Sequence, residues 1–173
     1  MNKYVESSLF RYTGKTDWWS GVKLYLRDSS FRWIVAFRFI NSSGFEKTIG
    51  VFLWYLRNKD ICIPKETDIG YGLYLGHGNI VVNRTAKLGN NVNLSNFTTI
   101  GSNYNNAATI GDSVYIGPNC CIVENVHVGN NVTIGAGSIV TKSIPDNATV
   151  AGNYAKVLNF DSPARFIKNK WKL

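Results

Sequence analysis

Between residues 63 and 140 an aliphatic side chain recurs at every sixth position, a period that belongs to neither an ordinary helix nor an ordinary strand. The series runs Ile63, Ile69, Leu75 and Val81, then, after one added residue, Leu88, Leu94 and Ile100. A ten-residue step restarts it at Ile110, and Ile116, Ile122, Val128, Ile134 and Val140 follow. Glycine comes directly after eight of these thirteen anchors, among them Leu75, Ile116 and Ile134. Such a chain makes a short strand, turns, and repeats this three times per coil. Each anchor points into a narrow triangular core, and glycine and asparagine occupy the turns, where positive φ costs them little. Successive coils stack by parallel pairing about 4.8 Å apart, and the hexads supply roughly four coils.

The breaks in the pattern carry information of their own. A coil tolerates extra residues only where they loop outward, so the long step extrudes about four residues from segment 102–107, which includes Asn103, Tyr104 and Asn106. The single added residue is read between Val81 and Leu88, just past His77. Residues 1–60 are different in kind, with aromatic and basic residues at helical spacing in segments 18–40 and 45–58. They read as two or three helices that cap one end of the coil and supply oligomer contacts. Aromatics beside Arg27, Arg32, Arg38 and Arg57 also suit an anionic surface, so a peripheral membrane contact through this region is a second expectation. The chain thus divides into a helical region (1–60), a coil domain (61–158) and a basic tail (159–173). The tail, with Arg165, Lys168, Lys170 and Lys172, is expected to be mobile.

Nineteen Lys and Arg against eleven Asp and Glu give a formal charge of +8, which favours anionic partners. Nucleic acid is not expected among them, because no helix-turn-helix, zinc-finger or RNP-type pattern accompanies the charge. Apolar runs such as 33–37 are far shorter than the roughly 20 residues that span a bilayer. No signal-peptide pattern is read at the N-terminus, and Cys62, Cys120 and Cys121 are too few for a disulfide framework. A cytoplasmic protein, at the cytoplasmic face of a membrane if that contact forms, is the expectation.

The sequence holds two histidines, His77 and His127, so a metal site built from three imidazoles is excluded and no metal is expected. No G-x-S-x-G elbow and no cysteine beside a histidine supports a nucleophilic enzyme. His77 stands in Leu75-Gly76-His77-Gly78, where flanking glycines leave the ring accessible, and one coil forward in the count lies Asn96. An imidazole ordinarily titrates at about 6.5, so its neutral form suits removal of a proton from a hydroxyl near neutral pH. On residue type alone the plainer reading, a polar turn residue, stays open for His77 and is preferred for His127.

The hexads, the run Ile69-Gly-Tyr-Gly-Leu-Tyr-Leu-Gly-His77 followed by Gly78-Asn-Ile-Val-Val82, and the closing segment 144–157 resemble the hexapeptide-repeat acyltransferases. The likeness is to the serine acetyltransferase-like branch and covers about residues 61–158. It implies a mainly β fold, a left-handed parallel β-helix of hexapeptide repeats behind an N-terminal α-helical region, assembled as a homotrimer. It implies His77 as the general base that activates an acceptor hydroxyl for direct attack on the thioester of acetyl-CoA. Gly117, Gly135, Ala136 and Lys142 would then border the acetyl-CoA groove between neighbouring coils.

This sequence departs from the serine enzymes at their serine-gripping positions. Cys62 stands where the acidic partner of the histidine would fall, Gly76 replaces the preceding aspartate, and Asn106 and Ala107 replace an arginine and a second histidine. A site without those charges holds a free amino acid poorly. The expectation drawn from this is a sugar-hydroxyl O-acetyltransferase like those that decorate capsular or O-antigen polysaccharide. Its carbohydrate acceptor would be held by Asn79, Asn96, Tyr104 and Asn106, with Asn83 and Asn103 nearby. His77 would be oriented by a backbone carbonyl, Asn96, Asp60 or Asp68. Tyr154, in place of a usual proline, would reshape the wall near the adenine end. Serine O-acetylation and sugar N-acylation are the alternative chemistries, and a non-catalytic coil scaffold is the alternative of another class.

Overall fold

The computed structural model describes residues 2–172. Its coil is the left-handed parallel β-helix that the hexads imply, a triangular prism with three parallel sheets as faces. Face I stacks Ile61–Cys62, Ile80–Val82, Thr99–Gly101, Cys121–Val123 and Ile139–Val140. Face II stacks Asp68–Ile69, Lys87–Leu88, Thr109–Ile110 and His127–Val128. Face III stacks Tyr74–Leu75, Asn93–Leu94, Tyr115–Ile116, Thr133–Ile134 and Thr149–Ala151, and Lys156–Asn159 closes it by antiparallel pairing. Face I keeps the five strands that the hexads supply, and the stack grows taller on the other faces, where residues 144–151 place Ile144 beside Val128 and the strand Thr149–Ala151 beside Thr133–Ile134.

The anchors line one continuous core, with a single exception. Val81 is 48% exposed, whereas Val82 is 2% exposed and pairs with Ile100. The inward residue of that strand is therefore Val82, and the added residue belongs one turn earlier, between Leu75 and Val82. Three consecutive β-branched residues, Ile80-Val81-Val82, hid the alternation that decides which of them faces inward.

The asparagines do structural work at the corner between faces II and III. Gly72, Asn91, Ser113, Asn131 and Asn147 all take positive φ there, between 56° and 67°. Side-chain oxygens of Asn90, Asp112, Asn130 and Asp146 each accept the backbone N–H of the coil before, at 2.9, 2.6, 2.8 and 2.7 Å. This ladder replaces strand pairing where the chain turns.

The first coil has no coil beneath it, and the helical region satisfies its open edge. Among the described residues four helices form, α1 (Lys3–Thr13), α2 (Trp18–Arg27), α3 (Ser29–Ile40) and α4 (Gly44–Leu56). The expected continuous segment 18–40 breaks at Asp28, whose carboxylate caps α3 by accepting from Phe31 N at 2.7 Å. From α1, Ser7 Oγ accepts from Gly72 N at 2.8 Å, Arg11 Nε donates to Gly72 O at 3.2 Å, and Tyr12 OH donates to Leu75 O at 2.7 Å. From α3, Arg38 donates to Ile69 O at 2.7 Å and to Gly70 O. Burial pushes both guanidiniums down to about 10, which leaves them charged at neutral pH. Trp33, Ile34 and Phe37 of α3 extend the coil's core into the cap.

The basic tail lies along face III instead of hanging free. Ala164 N donates to Asn131 O at 2.7 Å, the Phe166 ring meets Tyr115 at 4.9 Å, and Trp171 exchanges hydrogen bonds of 2.8 and 3.0 Å with Asn91. Arg11 donates to the Lys168 carbonyl and ties the tail to α1. The outward row Tyr74, Asn93, Tyr115 and Thr133 supplies the aromatic and polar partners that a count of tail charges does not reveal.

Candidate active site

Parallel stacking lines up equivalent corner residues from coil to coil. Between faces III and I, the N–H groups of Gly76, Ser95, Gly117 and Gly135 donate to Leu94, Ile116, Ile134 and Val150, which aligns Gly76, Ser95, Gly117, Gly135 and Ala151 in one row. The next row begins with His77 above Asn96, as the hexad count places them. The added residue makes the His77 turn bulge: six residues separate Leu75 from Val82, against five between the paired Leu94 and Ile100. Asn79, at φ 59°, takes the left-handed corner position that Phe97, Asn119 and Gly137 take in the following coils, so the extra residue lies before it, in the Gly76–Gly78 stretch.

His77 is exposed and opens into a cavity of about 510 Å³. Coil residues Tyr74, Gly76, Asn93, Ser95, Asn96, Tyr115 and Pro118 form its floor. Arg11 and Tyr12 of α1 close one side, and Phe166, Lys168 and Asn169 of the tail close another. Aromatic rings and amides dominate this lining, and among the described residues no carboxylate belongs to it. Arg11 is already committed to Gly72 O, Lys168 O and Asn93 Oδ1, so Lys168 is the exposed cation at the rim. Burial raises the Tyr12 hydroxyl well above its ordinary range, and that hydroxyl is held by Leu75.

The two carboxylates expected near His77 separate cleanly. A Cβ built on Gly78 would lie 3.2 Å from Asp60 Cβ and 3.7 Å from Asp60 Oδ2, so Asp60 borders the His77 turn. Asp68 stands on face II beside Lys87 and lines a different cavity with Tyr4 and Arg38, which removes it from the site. Cys62 lies on face I, its thiol 3.4 Å from Lys59 O.

The remaining candidate residues fall on two corners of the prism. His77, Asn79, Asn96, Gly117, Gly135 and Ala136 share the corner between faces III and I. Gly117 and Gly135 are required by stacking itself, since an added Cβ would sit 2.8 Å from Ala136 N in one case and 2.9 Å from Ala151 Cβ in the other. With Ala136 they leave a smooth edge running away from His77. Tyr104, Asn106 and Lys142 instead occupy the corner between faces I and II and are not gathered with His77 within one chain. Tyr104 is 75% exposed in its loop, where Ser102 Oγ accepts from Tyr104 N at 3.0 Å and lies 2.9 Å from a Glu124 carboxylate oxygen. Among the described residues no group of three or more histidine, cysteine or acidic side chains is arranged to hold a metal ion.

Arg11, Tyr12, Tyr74, Phe166, Lys168 and Asn169 line the cavity without having been expected there. Only Tyr74 carried a signal, as the outward neighbour of anchor Leu75. The others arrive by tertiary packing from the two ends of the chain.

Residues 107–142 match the bacterial transferase hexapeptide (six repeats) family. Serine acetyltransferase 3, mitochondrial, of Arabidopsis thaliana is 40% identical over 95 residues, covering 52% of this chain and 24% of that protein. The serine acetyltransferase of Neisseria gonorrhoeae in complex with serine superposes with a TM-score of 0.69 and 30% identity, over 89% of this chain and 67% of that one. The Brucella abortus serine acetyltransferase in complex with coenzyme A superposes with a TM-score of 0.69 and 26% identity, over 91% and 66% of the two chains. This chain spans between 24% and 40% of the length of the first curated relatives it matches.

Proposed function

We propose that this chain, which belongs with the hexapeptide-repeat acyltransferases of the serine acetyltransferase type, moves an acetyl group from acetyl-CoA to an acceptor hydroxyl with His77 as general base. The observation that carries this reading is the corner: an exposed imidazole on a bulged Gly-His-Gly turn, at one end of a row of small residues, beside an open cavity. The row Gly76, Ser95, Gly117, Gly135 and Ala151 offers a narrow edge along which an extended pantetheine arm can lie. His77 takes the acceptor's proton as its oxygen bonds to the thioester carbonyl carbon. The tetrahedral adduct then expels the CoA thiolate, which receives the proton from the imidazolium, so neither acyl-enzyme nor metal enters the balance.

Two acceptors are supported by different observations. The three relatives named above are serine acetyltransferases, and one superposed structure holds serine, which supports serine as the acceptor more strongly than a carbohydrate. The lining supports a neutral polyhydroxyl acceptor, such as a surface-polysaccharide sugar. Among the described residues no carboxylate lines the cavity to hold an ammonium, and Tyr74, Tyr115 and Phe166 offer ring faces beside Asn93 and Asn96.

The split between corners is resolved by a homotrimer. Face I turns the row Cys62, Val81, Thr99, Cys121 and Ile139 outward, uncharged throughout. Face II instead presents Asp68, Lys87, Thr109 and His127, and face III lies under the tail. Three copies packed on face I bring the corner between faces III and I of one copy against the corner between faces I and II of the next. Tyr104, Asn106 and Lys142 of a neighbour then complete the site of His77, and Lys142 supplies a cation toward CoA phosphate.

Thiol release from acetyl-CoA, with L-serine, nucleotide sugars and oligosaccharides offered in parallel, tests this reading. Serine turnover assigns the acceptor its relatives carry, and turnover with a sugar alone assigns the lining's acceptor. No release with any hydroxyl acceptor contradicts the activity.

A further inference from the structure

We propose that the outward faces of α2 and α4 dock this protein onto an anionic lipid surface. Both helices carry apolar side chains toward solvent as well as inward, where Leu24 and Tyr25 of α2 and Leu53 and Trp54 of α4 pack on the core. On α2, Trp18, Trp19 and Leu26 are exposed at helical spacing, flanked by exposed Lys23 and Arg27. On α4, Phe45, Phe52, Tyr55 and Leu56 form the corresponding stripe, and Trp19 and Tyr55 reach 77% and 81% exposure.

The orientation of α4 is fixed from its other side. Gly50 packs so closely on α3 that a Cβ there would run into the backbone of Phe39 and Ile40, so the helix cannot roll to hide its stripe. The two helices flank α3, and Tyr25 of α2 lines a shared cavity with Leu53 and Leu56 of α4, which makes their outward faces neighbours.

Charge identifies the occupant. Lys15, Lys23, Arg27, Lys47 and Lys59 surround these stripes in exposed positions. The nearby acids are engaged: Asp17 caps α2, Asp28 caps α3, and Glu46 accepts from Asn2. Arg57 lies over the Trp54 ring at 3.9 Å and Lys59 over Tyr55 at 5.7 Å, a mixture of ring and cation suited to the headgroup boundary. A second copy seated on the same face would bring these cations against their own counterparts, whereas anionic headgroups complement them. No helix among the described residues is long and apolar enough to cross a membrane, so the contact lies on the surface.

Flotation of the full chain with vesicles tests this. Binding is expected to phosphatidylcholine vesicles containing about one third phosphatidylglycerol, and to be about tenfold weaker on phosphatidylcholine alone. The double variants Trp18→Ser/Trp19→Ser and Lys23→Glu/Arg27→Glu alter only exposed side chains, and each should weaken binding about tenfold with circular dichroism unchanged. Absence of wild-type binding, or equal binding by both variants, overturns the proposal. So does a change of oligomeric size in the tryptophan variant, which would make this face a contact between copies.

Discussion

At the scale of single residues the account turns on the bulged corner. Asp60 borders that corner through Gly78, and it is the carboxylate the fold brings to the His77 turn when Asp68 is carried to another face. As a positioning residue it would hold the ring in one tautomer and orientation. Asp60→Asn should therefore lower kcat about tenfold with KM little changed, measured by steady-state thiol release. An unaltered kcat would return that role to Asn96 or a backbone carbonyl. The exposed placement of His77 at this corner was legible in the sequence because glycines flank it and the anchor count fixes its depth in the coil, whereas its reading as a base rested on the family resemblance. The position of the added residue was not legible, because Ile80, Val81 and Val82 satisfy either register until pairing to Thr99 and Ile100 selects one.

At the scale of elements, repetition explains what could be read and what could not. Twelve anchors were correctly read inward because every hexad restates the same rule, and each agreement supports the rest. The cap and the tail state their rule once. Arg11 and Arg38 look like surface cations of amphipathic helices, yet they serve carbonyls 61 and 31 residues away. Arg38→Met should strand the Ile69 and Gly70 carbonyls and remove a buried charge with its partners. A loss of about 2–3 kcal/mol in urea unfolding is expected. The tail finds its partners on face III, from Asn131 back to Asn91. Truncation after Ser162 should remove the Phe166 and Lys168 wall, raise the acceptor KM, and lower the Tm by a few degrees, roughly 2–5 °C.

At the scale of the whole molecule, the proposed homotrimer is what gathers the scattered candidate residues into one site. Val81 lies outward on face I, so Val81→Glu would place like charges at the proposed three-fold contact while sparing the core. Sedimentation should then show monomer, with the β-helix circular dichroism kept and thiol release lost. A monomeric variant with full activity would show that one chain carries a complete site. The most direct test of the central claim is His77→Ala, assayed by thiol release from acetyl-CoA with the acceptor that supports turnover in the wild-type protein. His77 is exposed, and its side chain makes no hydrogen bond among the described residues, so the variant should fold normally. Its kcat should fall at least about 100-fold, the contribution of a positioned general base. Activity within a few-fold of wild type would contradict the assignment of His77 and, with it, the mechanism built on this corner.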